Sequence, residues 1–192
     1  TKNCAACLLR RNMAAKTIYR FGKGVGEGAN LAAEVLGSKA QGLAVMAKLG
    51  LPVPPGFVIA PGCNVTADQV RAAIRKIGKG FGEAKKPLLL AMRQSPLSLT
   101  LGANVTVLNI GLNDATVEGL ARQVNDRAAA YEAYRQLVEN YGVMVLGMRH
   151  SHFDDPGDPG PDEVRATLAR VAEKTGKTFP QDGLEQFMAF LS

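Results

Sequence analysis

The residues best suited to chemistry are two cations, a run of glycines and a pair of histidines. Lys39 and Arg93 each follow the end of a segment with regular apolar patterning. A charged head in that position can face a ligand, and ammonium and guanidinium groups suit phosphate oxygens. The plainer readings are a helix-surface lysine and an ion pair at a sheet edge. Glycine recurs at Gly22, Gly24, Gly26 and Gly28, so the backbone N–H groups around Gly22 and Gly24 could cradle a phosphate. The run does not spell a dinucleotide fingerprint, because Glu27 and Leu31 occupy places that need glycine. Nor is there a P-loop: before Gly176-Lys177-Thr178, Val171 stands where the leading glycine belongs. A turn is the plainer reading of the glycine run.

His150 and His152 flank Ser151, with Asp154 and Asp155 close by. Imidazole can accept a phosphoryl group near neutral pH, but the pair directly precedes a proline- and glycine-rich stretch and reads as a surface turn. Glu27, Glu34 and Glu83 have no spacing that marks an acid–base pair, so no catalytic residue is assigned. Cys4 and Cys7 form a lone C-x-x-C, and Cys63 stands apart. A structural zinc site needs four ligands, so the thiols read as reduced cysteines and no metal ligand set is assigned. The odd count also argues against a disulfide scaffold.

Composition narrows the classes further. The chain has 192 residues, 46% hydrophobic and 21% charged, with a net charge of +6. That is enough apolar content for a core. No stretch approaches the ~20 apolar residues of a membrane helix. The basic residues are dispersed, and without Trp there is no stacking platform among them. Nucleic-acid binding is therefore not favoured. The N-terminal apolar stretch is too short for a secretory signal, so a cytoplasmic protein is expected. Because residues 1–15 carry Arg10 and Arg11 and no acids, an organelle-targeting remnant is the alternative.

The elements that would position these groups follow from periodicity. Residues 1–15 read as an arm. Strands are expected at Thr17–Phe21, Phe57–Ala60, Pro87–Arg93 (largely buried) and Val105–Leu112. Residues 30–50 read as helix, broken at Gly37-Ser38 and ended by Gly50. Thr66 or Asp68 is expected to cap a helix to about Lys76. Thr116 should cap one long amphipathic helix from Val117 to Tyr141, stopped by Gly142. Residues 154–161 are a linker. Helices follow from Asp162 to Thr175 and from about Gln181, the last carrying Phe187, Phe190 and Leu191. The fold class is α/β (α+β): an α/β lobe over 16–114 with a mixed sheet, then an all-helical subdomain over 115–192.

Several segments, in order, resemble pyruvate phosphate dikinase. They are Ile18–Gly28, Leu36–Gly37–Ser38–Lys39, Leu49–Phe57, Pro87–Arg93, Thr106–Ala121, Tyr131–Gly147 and Thr175–Gln186. The resemblance implies an ATP-grasp type nucleotide-binding lobe with a helical insert, so ATP and magnesium are the implied cofactors. In the family this region holds ATP for phosphorylation of a histidine on a separate domain. By the match, Lys39 corresponds to the lysine of a Gly-Gly-Lys-Gly-Ala-Asn segment, and Arg93 to the first arginine of Val-Arg-Ser-Gly-Ala-Arg. Both would contact phosphate. The chain departs from the pattern after Arg93: Leu97 stands where the second arginine belongs, and Pro96 removes a backbone donor. The chain is also short of the sequence the family uses for the rest of its clamp, its metal-binding acids, its histidine domain and its pyruvate-binding barrel. The expectation is a fragment that does not run the reaction alone and serves as a structural or interaction subunit with a protein partner. The alternatives are the ATP-binding module of a split phosphotransferase, or a regulator that senses ATP or another phosphate ligand.

Overall fold

A computed structural model describes residues 16–93, 106–154 and 157–192. The expectations for the arm with Cys4 and Cys7, and for the loop with Pro96 and Leu97, lie outside the described residues. Backbone contacts divide the described chain into two units, residues 16–78 and Lys79–Arg93 with Thr106–Ser192. Both mix helix and strand, and every described strand pairing is antiparallel, where a mixed sheet was expected.

In the first unit, β1 (Ile18–Gly22) lies between β2 (Val25–Gly26) and β3 (Gly56–Ile59). β1 and β2 are joined by the two-residue turn Lys23-Gly24. Helices α1 (Ala33–Leu36) and α2 (Ser38–Lys48) are separated at Gly37, whose φ is 85°. α2 ends in a paired cap: Gly50 N–H donates to Ala47 O and Leu51 N–H to Met46 O, with Gly50 left-handed. α3 (Ala67–Ile77) starts with a reciprocal box in which Thr66 accepts from Gln69 N–H and Gln69 accepts from Thr66 N–H. Leu36, Ala40 and Ala60 form a core with Tyr19, Leu31, Val35 and Val58 packed around it.

In the second unit, β4 (Leu90–Arg93) pairs with β5 (Thr106–Ile110). Leu90 is buried but Ala91 and Arg93 are exposed, so β4 is a half-exposed strand and not the buried one its apolar run suggested. Asn109, at φ 63°, lies where the register shifts, and takes up the extra residue of a bulge in β5.

The expected single long helix is two: α4 (Val117–Val124) and α5 (Arg127–Met144). Asn125 closes the first in the left-handed conformation, and the Asp126 carboxylate opens the second by accepting from Ala129 N–H. An adjacent C-terminal stop and N-terminal cap outweigh continuous amphipathic spacing. Thr116 does not cap α4 with its side chain. The Asn113 carboxamide accepts from the N–H groups of Ala115 and Thr116, while the buried Thr116 hydroxyl accepts from Asn113 N–H and donates to Gly111 O.

α6 (Pro161–Thr175) ends at left-handed Gly176, and α7 (Gly183–Leu191) is capped by Asp182. Leu184 and Phe187 of α7 are buried. Phe190 stands edge-on to Tyr141 with centroids 6.0 Å apart, and Tyr141 meets Phe179 at 5.2 Å. The last helix is therefore a core element of its unit.

Gln186 ties α7 to the end of β5. Its fully buried carboxamide accepts from Gly111 N–H at 2.8 Å and donates to Leu112 O at 2.8 Å and Pro180 O at 2.9 Å. A buried backbone group stripped of its partner costs the full desolvation of that group. Gln186→Leu should therefore lower stability by about 2–4 kcal/mol, read as a reduced urea midpoint of the helical circular dichroism signal. An unchanged midpoint would show that the amide is dispensable.

Candidate functional site

Lys39, Gly22 and Gly24 lie in the first unit and Arg93 in the second. Lys39 is the second residue of α2 and is exposed. Gly37 cannot cap that helix with a side chain, and no side-chain cap bond is present there. A cation in the first turn faces the positive end of the helix dipole, which is unfavourable in isolation. Uncapped amides beside a lysine nevertheless suit an anion. Arg93 ends β4 opposite Thr106 and is exposed. Among the described residues neither cation has a carboxylate partner.

Gly22, Lys23 and Gly24 all have positive φ, at 92°, 52° and 76°. Positive φ at both turn residues is the hairpin geometry that matches strand twist. A Cβ on Gly22 would lie 2.5 Å from the Pro55 Cα, so the hairpin and the proline segment meet at backbone distance. Gly22 and Gly24 thus have conformational reasons for being glycine, independent of any ligand.

The cations fit phosphate chemistry singly. For a divalent metal, the described residues hold no group of three or more His, Cys, Asp or Glu side chains able to bind one. His150 and His152 sit in a short 3-10 turn, where His150 Nδ1 is 3.4 Å from Glu139 Oε1 and the His150 side chain is largely exposed. Also among the described residues, no helix is long and apolar enough to cross a membrane.

One charge cluster in the first unit is one that sequence reasoning missed. Glu27 Oε2 accepts from Arg20 N–H at 2.7 Å, and Oε1 accepts from the Arg20 guanidinium at 2.9 Å and Lys16 Nζ at 2.8 Å. Partial burial pushes the Glu27 pKa up, but the hydrogen bonds from Arg20 and Lys16 outweigh it and bring it down to about 2. The signal was present: a turn at Lys23-Gly24 places residues 20 and 27 opposite each other, one step beyond Phe21 and Gly26.

Further networks lie in the second unit, among them the buried Arg135 guanidinium, which donates to Glu132 at 2.8 Å and to Glu139 at 3.0 Å. Glu118 Oε1 accepts from Arg127 and from the Tyr131 hydroxyl, both at 2.8 Å, and those bonds, Arg127 first, lower its pKa. The Tyr134 hydroxyl donates to Asp114 at 2.9 Å and accepts from Gln181 at 3.1 Å, and burial raises its pKa. These tie helices and turns together, and none presents an open reactive group.

Comparison with known proteins gives consistent relatives. Pyruvate, phosphate dikinase of Rhizobium meliloti (strain 1021) is 36% identical over 157 residues, covering 73% of this chain and 18% of that protein. Those of Giardia intestinalis and Clostridium symbiosum are each 32% identical and cover 91% of this chain, but 24% and 23% of their own lengths. The chain thus spans about a quarter or less of the curated relatives it matches. No protein-family model matches it.

Glu27 gives this region a defined acid response. Its folded pKa lies below the unfolded value near 4.3. The stability it contributes is therefore complete above that value and is lost as pH falls from about 4.5 towards 2. After allowance for solvent screening, Glu27→Gln should cost about 1–2 kcal/mol at neutral pH, and the difference from wild type should close near the lower pH. Thermal melts of both proteins across that range check it; a constant difference would rule out the ionised carboxylate as the source.

Proposed function

We propose that this chain, similar over most of its length to a part of pyruvate phosphate dikinase, is a non-catalytic member of that family, acting as a structural or interaction subunit with a protein partner. The observation that carries this reading is Leu97, which by resemblance occupies the seat of the second arginine after Arg93. Phosphoryl transfer depends on positioned positive charge around the transferred group, and a single arginine can be worth ~10³-fold or more. A leucine offers no charge, and Pro96 beside it offers no N–H. Relatives 32% identical cover 91% of this chain, which supports retention of the fold. A cytoplasmic location is the working reading. The relative from Mesembryanthemum crystallinum is described as chloroplastic, which supports an organelle as the alternative.

The second reading, an ATP-binding module that works with other chains, draws on the exposed Lys39 and Arg93, neither of which has a carboxylate partner among the described residues. Isothermal titration calorimetry separates the two. For the non-catalytic subunit, Mg-ATP should give no saturable heat at concentrations up to about 1 mM, weaker than the usual range of enzyme substrates, and the native protein should copurify with a larger partner in fixed ratio. Saturable binding that Arg93→Ala removes would replace this reading with the module.

A further inference from the structure

The unit of residues 16–78 carries a groove that the reading above leaves unused. It is lined by Lys23 and Gly24 of the hairpin turn and by Gly50, Leu51, Pro52, Val53 and Pro54, with a cavity volume of about 500 Å³. Beside it Leu49 is 73% exposed and within it Leu51 is 51% exposed. Large aliphatic side chains at that exposure contribute little to a core, and contiguous ones mark contact surfaces. Two prolines, Pro52 and Pro54, stiffen one side of this open groove, and the hairpin lies close to the same segment, where a Cβ on Gly22 would come within 2.5 Å of the Pro55 Cα.

The charge at its edge is unbalanced. Lys23 sits in the left-handed region at φ 52°, which is costly for a side chain of this kind. Its Nζ donates to Ile77 O, at the end of the same helix turn that carries Arg75 and Lys76. The carboxylates of this unit are Glu27, Glu34 and Asp68. Glu27 is held by Lys16 and Arg20, and Asp68 by Arg71. Among the described residues, none pairs with Lys23, Arg75 or Lys76. A partner that brings its own carboxylate to this edge is complementary. No aromatic residue lines the groove, so it offers no platform for bases, which favours a peptide over a nucleic acid.

We propose that this groove docks an extended segment of a protein partner that is apolar with flanking carboxylates, its aliphatic side chains against Leu51 and Val53 and a carboxylate on Lys23. The proposal rests on the interaction-subunit reading and gives that partner its chemistry.

Fluorescence anisotropy on the full chain tests it with three labelled probes: an octapeptide alternating leucine and glutamate, one alternating leucine and lysine, and an oligodeoxythymidylate of eight nucleotides. The acidic peptide should bind at least about tenfold tighter than the other two and weaken with salt. Lys23→Glu and Leu51→Asp should each weaken it by about tenfold or more while the melting temperature stays put. Equal binding of the two peptides, equal binding of the oligonucleotide, no binding of any probe, or indifference to Lys23→Glu would overturn the proposal. Copurification in fixed ratio that survives both substitutions would remove the groove and keep the interaction reading. Wild-type protein that purifies alone would remove the interaction reading itself.

Discussion

Three consecutive residues with positive φ, Gly22, Lys23 and Gly24, govern the surface of the first unit. They close β1 and β2 in a two-residue turn, and that turn fixes the strand register. The register places Arg20 across from Glu27, so the tightest ion cluster of the unit is a consequence of turn geometry. The lack of a side chain at Gly22 lets the hairpin reach the Pro55 backbone, and with it the proline segment that leads into β3. Lys23, at the tip, donates to the Ile77 carbonyl. A residue with a Cβ at position 22 would separate strand, turn and proline segment together.

The second unit solves a different problem, that of ending strands and helices where no ladder continues. The chain between β5 and α4 turns sharply, and its backbone groups are met by side chains: Asn113 for Ala115 and Thr116, Thr116 for Gly111, and Gln186 for Gly111 and Leu112. Buried polar side chains are stabilising only when their own valences are filled, and Gln186 fills three of its four. Such an arrangement ties residues more than seventy positions apart in sequence. It makes the last helix part of the core.

Local signals were readable where one residue decides the outcome. Gly50, Thr66 with Gln69, Gly176 and Asp182 each end or start a helix by satisfying backbone groups within a few positions. The misreadings share a physical origin. Amphipathic spacing runs through Asn125-Asp126 without interruption, so pattern alone joined two helices that capping separates. The apolar run before Arg93 suggested burial on both faces, but a two-stranded ribbon buries only one. Thr116 looked like a cap because the residue type suits it, whereas the turn before it gave that task to Asn113. At the candidate site, Lys39 and Arg93 drew meaning from resemblance to a family. The Glu27 cluster needed a cross-strand register that no short window of sequence contains.

Loss of phosphate chemistry and retention of fold make different demands on a surface. A phosphate-clamping site keeps cations because the ligand's charge stabilises them, and without that ligand each is a solvated lysine or arginine that can drift. Exposed leucines carry a steady cost in solubility whether or not a ligand is present. Their exposure at Leu49 and Leu51, on a wall stiffened by proline and beside a lysine held in an unfavourable conformation, is therefore harder to ascribe to drift than the persistence of any one charge. A rigid apolar lip with one cation gives affinity through burial and orientation through charge. Neither requires a closed nucleotide clamp.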